Sequence, residues 1–181
     1  SISFTTRIPR DGEVNGRDYF FVSIEKFNSM IEANGFLEWA VVHGNLYGTS
    51  HAQVEGERRA GHDIILEIDV QGATSVRRLA RDAVSIFILP PSFEVLRDRL
   101  IRRGSERPDD LATRLGNSLG EVERYQEFQY VIINDVAESA AELLASIIYA
   151  ERARRERQEE VAQRVLASFK QAREEPTATS D

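Results

Sequence analysis

The N-terminal segment gathers side chains that can hold a phosphate group. Residues 1–23 place Ser3, Arg7, Arg10 and Tyr19 around a predicted strand, a turn and a second strand. Two arginines three residues apart, with a hydroxyl and a phenol nearby, can form a pocket of charge-assisted hydrogen bonds. Short arginine clusters are also common on solvated surface loops, and spacing alone favours that second interpretation.

Carboxylates in two later segments could recognise a base or a metal ion. Glu38 lies in the apolar stretch 36–50, and a carboxylate can accept the two adjacent N–H donors on the edge of guanine, which adenine does not offer. On an alternating strand Glu38 would instead face water, and the residues alone favour water. Glu67 and Asp69 share one face of a predicted strand and suit base recognition or magnesium, directly or through water. The alternative for Asp69 is an N-cap of the next helix.

Arginines on a predicted helical hairpin could serve phosphoryl transfer. Arg99 and Arg103 are four residues apart, and hence on one helical face, and Arg114 comes from the following helix. Phosphoryl transfer needs positive groups around the moving phosphoryl, which a mobile hairpin can supply on closure. The alternative is an ordinary exposed helix rich in arginine, which is our interpretation of Arg97 and Arg102.

Composition excludes several classes of function. A net charge of −7 argues against a nucleic-acid binder held by its overall field. The sequence has no cysteine and three histidines, which makes a cysteine- or histidine-ligated metal site improbable. No apolar run approaches the roughly 20 residues of a membrane helix, and the N-terminus has no signal-peptide core. We therefore expect no membrane or nucleic-acid partner and a cytoplasmic location.

The apolar pattern predicts an α/β fold. Three short runs, 64–68, 84–89 and 130–133, are typical of buried parallel strands. Helices are predicted over 73–80, after Pro90 and Pro91 with Ser92 as N-cap, over about 109–125, and from about Ala137 through the charged segment 151–160. The first 60 residues predict a smaller, more antiparallel sheet with helices at 23–33 and 50–60, the second of them stopped by Gly61.

The order of these segments is more specific than any one of them. SISFTTRIPRDGEVNGRDYFFVS, FLEWAVVHGNLYGTS, ILEIDVQGA, SIFILPPS, the arginine-rich hairpin and VIIND follow one another along residues 1–153. This series resembles guanylate kinase, most of all its bacterial members. The resemblance implies a three-layer, parallel-sheet P-loop kinase fold and the reaction of ATP with GMP to give ADP and GDP, with Mg²⁺ as cofactor.

The resemblance also implies a role for each matching residue. It implies that the GMP phosphate is bound by Ser3, Arg7, Arg10, Tyr19 and Tyr47. The guanine would be read by Glu38, Thr49 and Glu67. Asp69 would lie near the substrate and the magnesium ion, which is held mainly by nucleotide phosphates and reaches Asp69 through water. The ATP phosphates and the transferring phosphoryl group would be contacted by Arg99, Arg103 and Arg114. Asn134 and Asp135 match the adenine-side loop.

The resemblance further implies one guanylate-kinase-like domain over 1–181. Its parts are a GMP-binding subdomain over about 1–60, core elements at 61–90 and 126–153, a lid at 91–125, a helical extension at 154–173 and a disordered tail at 174–181. The extension could cap the core or mediate self-association.

One departure concerns the phosphate-binding loop of this family. The family begins with a strand, a Gly-rich loop ending in Gly-Lys-Ser or Gly-Lys-Thr, and a helix. Here Lys26 follows Glu25 and Lys170 follows Phe169, so these residues contain no such motif. We expect that the protein has this unit before Ser1, and that a chain limited to these residues is inactive. The alternative is a non-catalytic guanylate-kinase-like module that binds phosphorylated peptide, although its base-reading glutamates and lid arginines would then have no use.

Overall fold

The computed structural model describes residues 1–103 and 108–174, and the side chains of 103, 108–110 and 174 are outside the described set. The chain divides into two compact units, Ser1–Val131 and Ile132–Asp181, and each is described by itself. The strands are β1 (Phe4–Thr5), β2 (Phe20–Phe21), β3 (Phe36–Val42), β4 (Asn45–Ser50), β5 (Ile86–Leu89) and β6 (Tyr130–Ile133). The helices are α1 (Ile24–Glu32), α2 (His51–Arg59), α3 (Val70–Leu79), α4 (Phe93–Arg103), α5 (Pro108–Glu123), the 3₁₀ helix η1 (Arg124–Glu127), α6 (Ala137–Arg152) and α7 (Arg155–Glu174).

A four-stranded mixed sheet forms the N-terminal part of the first unit, in the order β2-β1-β4-β3. β1 pairs in parallel with β2 and antiparallel with β4, and β3 and β4 are antiparallel. Aromatic rings cover one side of this sheet: Phe4 stacks on Phe20 at 4.7 Å and Phe27 on Phe36 at 4.4 Å between ring centroids. Phe27 is fully buried. The prediction of a small, largely antiparallel sheet in the first 60 residues is confirmed.

A tight turn sets the register of the β3–β4 hairpin. His43 and Gly44, the two loop residues, have φ of 48° and 77°, as a type I′ turn requires. The two-residue loop pairs Val42 with Asn45 and, counting back along the strands, Glu38 with Thr49. A β-bulge at Leu37 then shifts the pairing by one residue, so that Phe36 lies opposite Ser50.

Helix starts follow side-chain caps that the local sequence indicates. Ser23 and Ser50 accept from the backbone N–H groups of Lys26 and Gln53, and Ser92 accepts from Val95 N–H at 3.3 Å. Each cap satisfies one of the N–H groups that a helix start leaves without a partner. Gly61, with φ of 79°, follows α2 and allows the left-handed conformation with which the chain leaves it.

Two predictions about the elements are wrong. The run 64–68 is not a strand: within the described residues it has no ladder partner, and Ile65 is 59 % exposed. A strand exists only through pairing with a neighbour, which an apolar run does not specify. In β5 and β6, Ile88 and Ile133 are also about half exposed, so these strands are not buried on both faces.

The helix predicted to run on from Ala137 is not continuous, because it is interrupted at Ala153 and Arg154. The break lies beside the buried carboxylate of Glu151, which has Arg154 and Arg157 at 3.6 and 3.5 Å. α7 begins at Arg155 and carries Val161, Val165 and Phe169 on an exposed stripe. Within the described parts of the chain, no helix combines the length and apolar character needed to span a membrane.

Gly48 of β4 lies where the aromatic layer leaves no room for a side chain. A Cβ there would come within 2.9 Å of Phe36 Cδ1 and 3.0 Å of Phe27 Cζ. We expect Gly48→Ala to lower the free energy of unfolding by about 1–3 kcal/mol, because the stacked rings must shift. Urea unfolding followed by circular dichroism measures this change.

Gly56→Ala is the matched control. Gly56 lies in α2 with open space around the position that a methyl group would take, so alanine should raise stability by about 0.5–1 kcal/mol through helix propensity. Equal stability of the two variants would show that the Phe27–Phe36 layer is loosely packed at this strand.

Candidate functional site

A cavity of about 210 Å³ in the first unit collects most of the predicted site residues. Every residue predicted to bind the acceptor phosphate lines it, together with three carboxylates and one arginine of the predicted hairpin. The lining includes Ser3, Arg7, Arg10, Tyr19, Tyr47, Glu38, Glu67, Asp69 and Arg114. Thr49 lies directly behind it through its hydrogen bond to Glu38.

Arg7 is held in a fixed orientation at this cavity. Its guanidinium donates to both carboxylate oxygens of Glu13, at 2.8 and 3.0 Å, and Arg7 Nε donates to the Tyr47 hydroxyl at 3.2 Å. The hydrogen bond to Glu13 raises the pKa of Arg7, and the Arg7 guanidinium holds the pKa of Glu13 at about 2. The side chain of Arg7 is only 13 % exposed, so the expectation of a solvated loop is wrong for Arg7.

The turn after Arg10 brings Glu13 back toward these cations. Glu13 Oε2 also accepts from the backbone N–H of Arg10 at 2.7 Å, and Glu13 N–H donates to Arg10 O at 3.1 Å. Gly12, with φ of 85°, supplies the left-handed residue of this turn. One carboxylate therefore fixes both the turn and the arginine fork.

Aromatic rings surround the same guanidinium. Arg7 Cζ lies 5.4 Å from the ring centroid of Tyr19 and 5.7 Å from that of Phe21, within the range of cation–π attraction. Tyr19 packs edge-on against Tyr47 at 6.0 Å. Burial, with the nearby Tyr47 and Glu67, raises the pKa of Tyr19, so its hydroxyl keeps the proton that it can donate to an anion.

Glu38 is a buried carboxylate with a built set of neighbours. It is 6 % exposed, and the Thr49 hydroxyl donates to its Oε1 at 2.5 Å across the paired register. Burial raises the pKa of Glu38, with a further contribution from the charge of Asp69, while the Thr49 hydroxyl lowers it. The expectation that Glu38 faces water is wrong, because the hairpin register turns it to the inner face together with Thr49.

The first turn of α3 lies against the other oxygen of Glu38. A Cβ on Gly72 would come within 2.5 Å of Glu38 Oε2, so only glycine leaves room for the carboxylate at this helix terminus. Asp69 caps the helix, its Oδ1 accepting from Gly72 N–H at 2.8 Å, and also lines the cavity. The N-cap interpretation of Asp69 is therefore confirmed, and it is compatible with a position at the site.

The predicted hairpin arginines are placed differently from one another. Arg114 on α5 lines the cavity, whereas Arg99 lies exposed on α4. Arg103 ends α4, and its side chain lies outside the described residues. Asn134 and Asp135 follow β6 in the second unit, before α6. Of the hairpin arginines whose side chains the structure describes, Arg114 is the one that lines the pocket.

Two residues of the site were missed by reasoning from the sequence. Glu13 contributes a partly buried ion pair with Arg7. The sequence signal for it is its position three residues after Arg10, across a turn that contains Gly12. Gly72 contributes the space that the Glu38 carboxylate occupies. The sequence signal for it is its position three residues after Asp69, the N-cap of α3. Among the described residues, no group of three or more acidic or histidine side chains is arranged to hold a metal ion.

The chain is similar to known proteins over most of its length. Residues 1–151 match the family model described as guanylate kinase. The guanylate kinase of Geobacter sulfurreducens is 49 % identical over 154 residues, which are 85 % of this chain and 76 % of that protein. The guanylate kinase of Xanthomonas campestris pv. campestris is 48 % identical over 160 residues, 88 % of this chain and 79 % of that protein.

A solved structure shows the same fold. The crystal structure of guanylate kinase from Anaplasma phagocytophilum superposes with a TM-score of 0.75 at 34 % identity, covering 88 % of this chain and 82 % of that chain. The likeness confirms the α/β, P-loop kinase fold class. α7 lies beyond the residues that the family model matches.

The Arg7–Glu13 pair predicts a defined pH dependence of stability. The pKa of Glu13 falls from its ordinary 4.5 to about 2 in the folded protein. Its stabilising contribution is therefore complete above about pH 4.5 and is lost as the pH falls toward 2. We expect Glu13→Gln to lower the free energy of unfolding at pH 7, and the difference from wild type to shrink steadily between about pH 4.5 and about pH 3.

Urea unfolding at a series of pH values checks this expectation. Glu32→Gln, at an exposed glutamate of α1, is the control and should leave stability nearly unchanged at every pH. A difference between Glu13→Gln and wild type that stays constant down to about pH 3 would contradict a charge-based role of Glu13.

Proposed function

Because the chain belongs to the guanylate kinase family, whose enzymes transfer a phosphoryl group from ATP to GMP, we propose that its cavity is the GMP site. The activity is phosphoryl transfer from ATP to GMP, and a non-catalytic peptide-binding module is not favoured. The observation that carries the assignment of the cavity is a buried carboxylate, Glu38, in the same cavity as Arg7, Arg10 and both tyrosines. The proposal specifies which residue contacts which part of the nucleotide.

Glu38 reads the guanine base in this proposal. Guanine presents an N–H and an NH₂ side by side, and a carboxylate accepts both in parallel. Oε1 of Glu38 already accepts from Thr49 and keeps lone pairs for a base, and Oε2 lies over the glycine at the start of α3. Glu67, exposed at the cavity, contributes a second acceptor for the same edge. Adenine lacks this donor pair, so the site selects GMP over AMP.

The phosphate of GMP is held by the cationic and hydroxyl-bearing part of the lining. Tyr47 lies two residues from Thr49 on the same face of β4, so their Cα atoms are about 7 Å apart along the strand. Arg10 and the hydroxyls of Ser3, Tyr19 and Tyr47 supply donors, and Arg7 adds positive charge from its position between Glu13 and Tyr47. Charge-assisted hydrogen bonds of this kind are stronger than neutral ones.

The donor side of the reaction rests on arginine and magnesium. Arg114 is assigned to the transferring phosphoryl group, whose charge it would neutralise, and its position in the cavity lining supports this role. Arg99 and Arg103 on α4 are assigned to the ATP phosphates as parts of a lid over 91–125. Magnesium, when bound with ATP, neutralises charge on the phosphates. Both carboxylate oxygens of Asp69 already accept, from Gly72 N–H and from Gln71 Nε2. Asp69 therefore suits a magnesium ion through a coordinated water, since this ion keeps several of its waters.

Several narrower expectations stay predictions. Asn134 and Asp135 are assigned to the adenine side of ATP. Self-association through the apolar stripe of α7, a cytoplasmic location and the absence of nucleic-acid partners rest on the sequence. The division into acceptor subdomain, core, lid and helical extension is also a prediction. The tail at 175–181 lies outside the described residues.

Replacing the base-reading carboxylate tests the assignment. Glu38→Gln keeps the shape of the side chain but turns one acceptor oxygen into an NH₂ donor, which opposes the donors of guanine. We expect GMP affinity to fall about 10- to 100-fold, the range for hydrogen bonds to a charged group, while AMP affinity changes little. Titration calorimetry with each nucleotide, beside GMP-dependent formation of ADP by the intact protein, measures both quantities.

The pH dependence of GMP binding gives a second, independent outcome. Burial raises the pKa of Glu38 above its ordinary 4.5, so the carboxylate becomes protonated earlier on acidification than an exposed glutamate. Wild-type GMP affinity should therefore fall with decreasing pH more steeply than that of Glu38→Gln. Glu32→Gln, the exposed control, should follow wild type. Unchanged preference for GMP over AMP in Glu38→Gln would remove the base-reading role.

A further inference from the structure

A second polar cluster joins α3 to η1, away from the cavity lining. Arg77 Nη2 donates to Glu127 Oε2 at 2.5 Å and to Thr74 Oγ1 at 3.2 Å. Arg124 donates to Glu127 through Nε and Nη2, at 2.7 and 3.0 Å, and to the same Thr74 Oγ1 at 2.6 Å. We call these four residues, Thr74, Arg77, Arg124 and Glu127, the α3–η1 clamp.

The clamp is more than a surface ion pair. One carboxylate is shared by two guanidiniums, and the Arg77 guanidinium also lies 4.8 Å from the ring centroid of Phe128. Hydrogen bonds from Arg124 and Arg77 hold the pKa of Glu127 at about 2. The Arg77 and Arg124 side chains are 23 % and 31 % exposed, so both are partly withdrawn from water. Bidentate geometry and a network of charges are the conditions under which such pairs fix a structure.

The two elements that the clamp joins each lead to the cavity. α3 begins directly after Asp69, and its first turn contains Gly72, which lies against Glu38. α5 ends at Glu123, immediately before Arg124, and carries Arg114 to the cavity. The charge of Asp69 is also among the causes that raise the pKa of Arg124. The clamp therefore holds the C-terminal end of α5 against the side of α3.

The described side chains of α5 are mostly half-buried or exposed. Of the α5 side chains that the structure describes, from Leu111 to Glu123, Ser118 is the buried one, and Leu119 is 67 % exposed. The orientation of a thinly packed helix depends strongly on the few contacts at its ends. Here the described anchor at the C-terminal end is the clamp.

A small tilt of α5 at the clamp would displace Arg114. Ten residues separate Arg114 from Arg124, which is about 15 Å at 1.5 Å per residue. A change of about 10° in the direction of α5 at the clamp would move Arg114 by roughly 2.6 Å over that length. Misplacement of a catalytic group by about 1 Å can cost on the order of 100-fold in rate.

We propose that Arg124 and Glu127 are positioning residues for phosphoryl transfer, which fix α5 on α3 and so place Arg114 in the cavity. This inference rests on the proposed function of the cavity. Arg124 and Glu127 contact neither substrate in this proposal, and they act through Arg114. The clamp should therefore influence the rate of transfer and leave the base-reading and phosphate-binding contacts of GMP nearly intact.

Two single variants separate geometry from electrostatics. Arg124→Met removes a positive charge near Asp69, and Glu127→Gln removes a negative charge, yet both loosen the same clamp. If the clamp acts by positioning Arg114, both variants should lower kcat by about 10-fold or more. The Kd for GMP should stay within about threefold of wild type. Arg124→Lys, which keeps the charge but not the planar fork, should fall between Arg124→Met and wild type. The double variant should lose little more than either single one.

The measurements are kcat and KM from GMP-dependent ADP formation, the Kd for GMP from calorimetry, and hydrogen exchange of the α5 amides. Arg97→Met on α4 is the matched control, because Arg97 makes only an exposed ion pair with Asp98 among its described contacts. It should leave all three quantities near wild type. Faster exchange in α5 in Arg124→Met and Glu127→Gln, but not in Arg97→Met, is the expected structural signature.

Three results would overturn the proposal. The first is that kcat of both clamp variants equals that of Arg97→Met, and the second that kcat changes in opposite directions in Arg124→Met and Glu127→Gln. The third is an equal loss of GMP affinity and kcat together with reduced thermal stability, which would make the clamp a support of the fold only. Absence of GMP-dependent turnover in wild type would refute the proposed function instead, while hydrogen exchange would still report whether the clamp orders α5.

Discussion

The buried carboxylate of Glu38 is the constraint around which the acceptor site is arranged. A carboxylate with 6 % exposure is costly unless donors replace the water that it loses. The two-residue turn at His43 and Gly44 sets a register that brings the Thr49 hydroxyl opposite it. Gly72 leaves the space at the positive end of α3 in which the second oxygen fits. A turn, a strand pairing and a helix start therefore all position this one side chain. In the proposed site, the polar edge of the guanine base completes its hydrogen bonding.

Two groups of arginines stand out among the described residues, one that lines the cavity and one that holds the scaffold. Arg77 and Arg124 direct their donors to Glu127 and Thr74, and thereby order the junction between α5 and α3. Arg7 combines both tasks, because its fork is taken by Glu13 while its Nε orients Tyr47. The abundance of arginine over lysine suits this division, since a planar fork can bind a carboxylate with two donors and direct a third elsewhere.

Local signals in the sequence predict the helix starts of this arrangement. Most of what they fail to predict depends on which strands pair and in which register. Ser92 and Asp69 cap helices as the sequence predicts, and Ser23 and Ser50 cap the helices predicted to begin there, because a cap depends on residues within one turn. The apolar run 64–68 predicts a strand, yet such a run does not say whether a neighbour pairs with it. Strand alternation gives Glu38 a choice of two faces without telling which is inside. Only the register of β4 against β3, with its bulge at Leu37, decides that question.

The overall charge of −7 does not oppose binding of a nucleotide in such a cavity, because charges beyond about 8 Å are largely screened at physiological ionic strength. The charges that line the cavity matter most, and among them the positive charge of Arg7 is partly balanced by its ion pair with Glu13. In the proposed site, an incoming phosphate therefore finds its charge compensation mainly at Arg10, at the hydroxyls and at Arg114. The backbone of Arg10 is fixed locally by its own turn, whereas Arg114 is carried by a helix of which Ser118 is the one buried described side chain. The balance of charge at the reacting phosphates consequently depends on how firmly the far end of α5 is held, which links the ion pairs at η1 to the chemistry in the cavity.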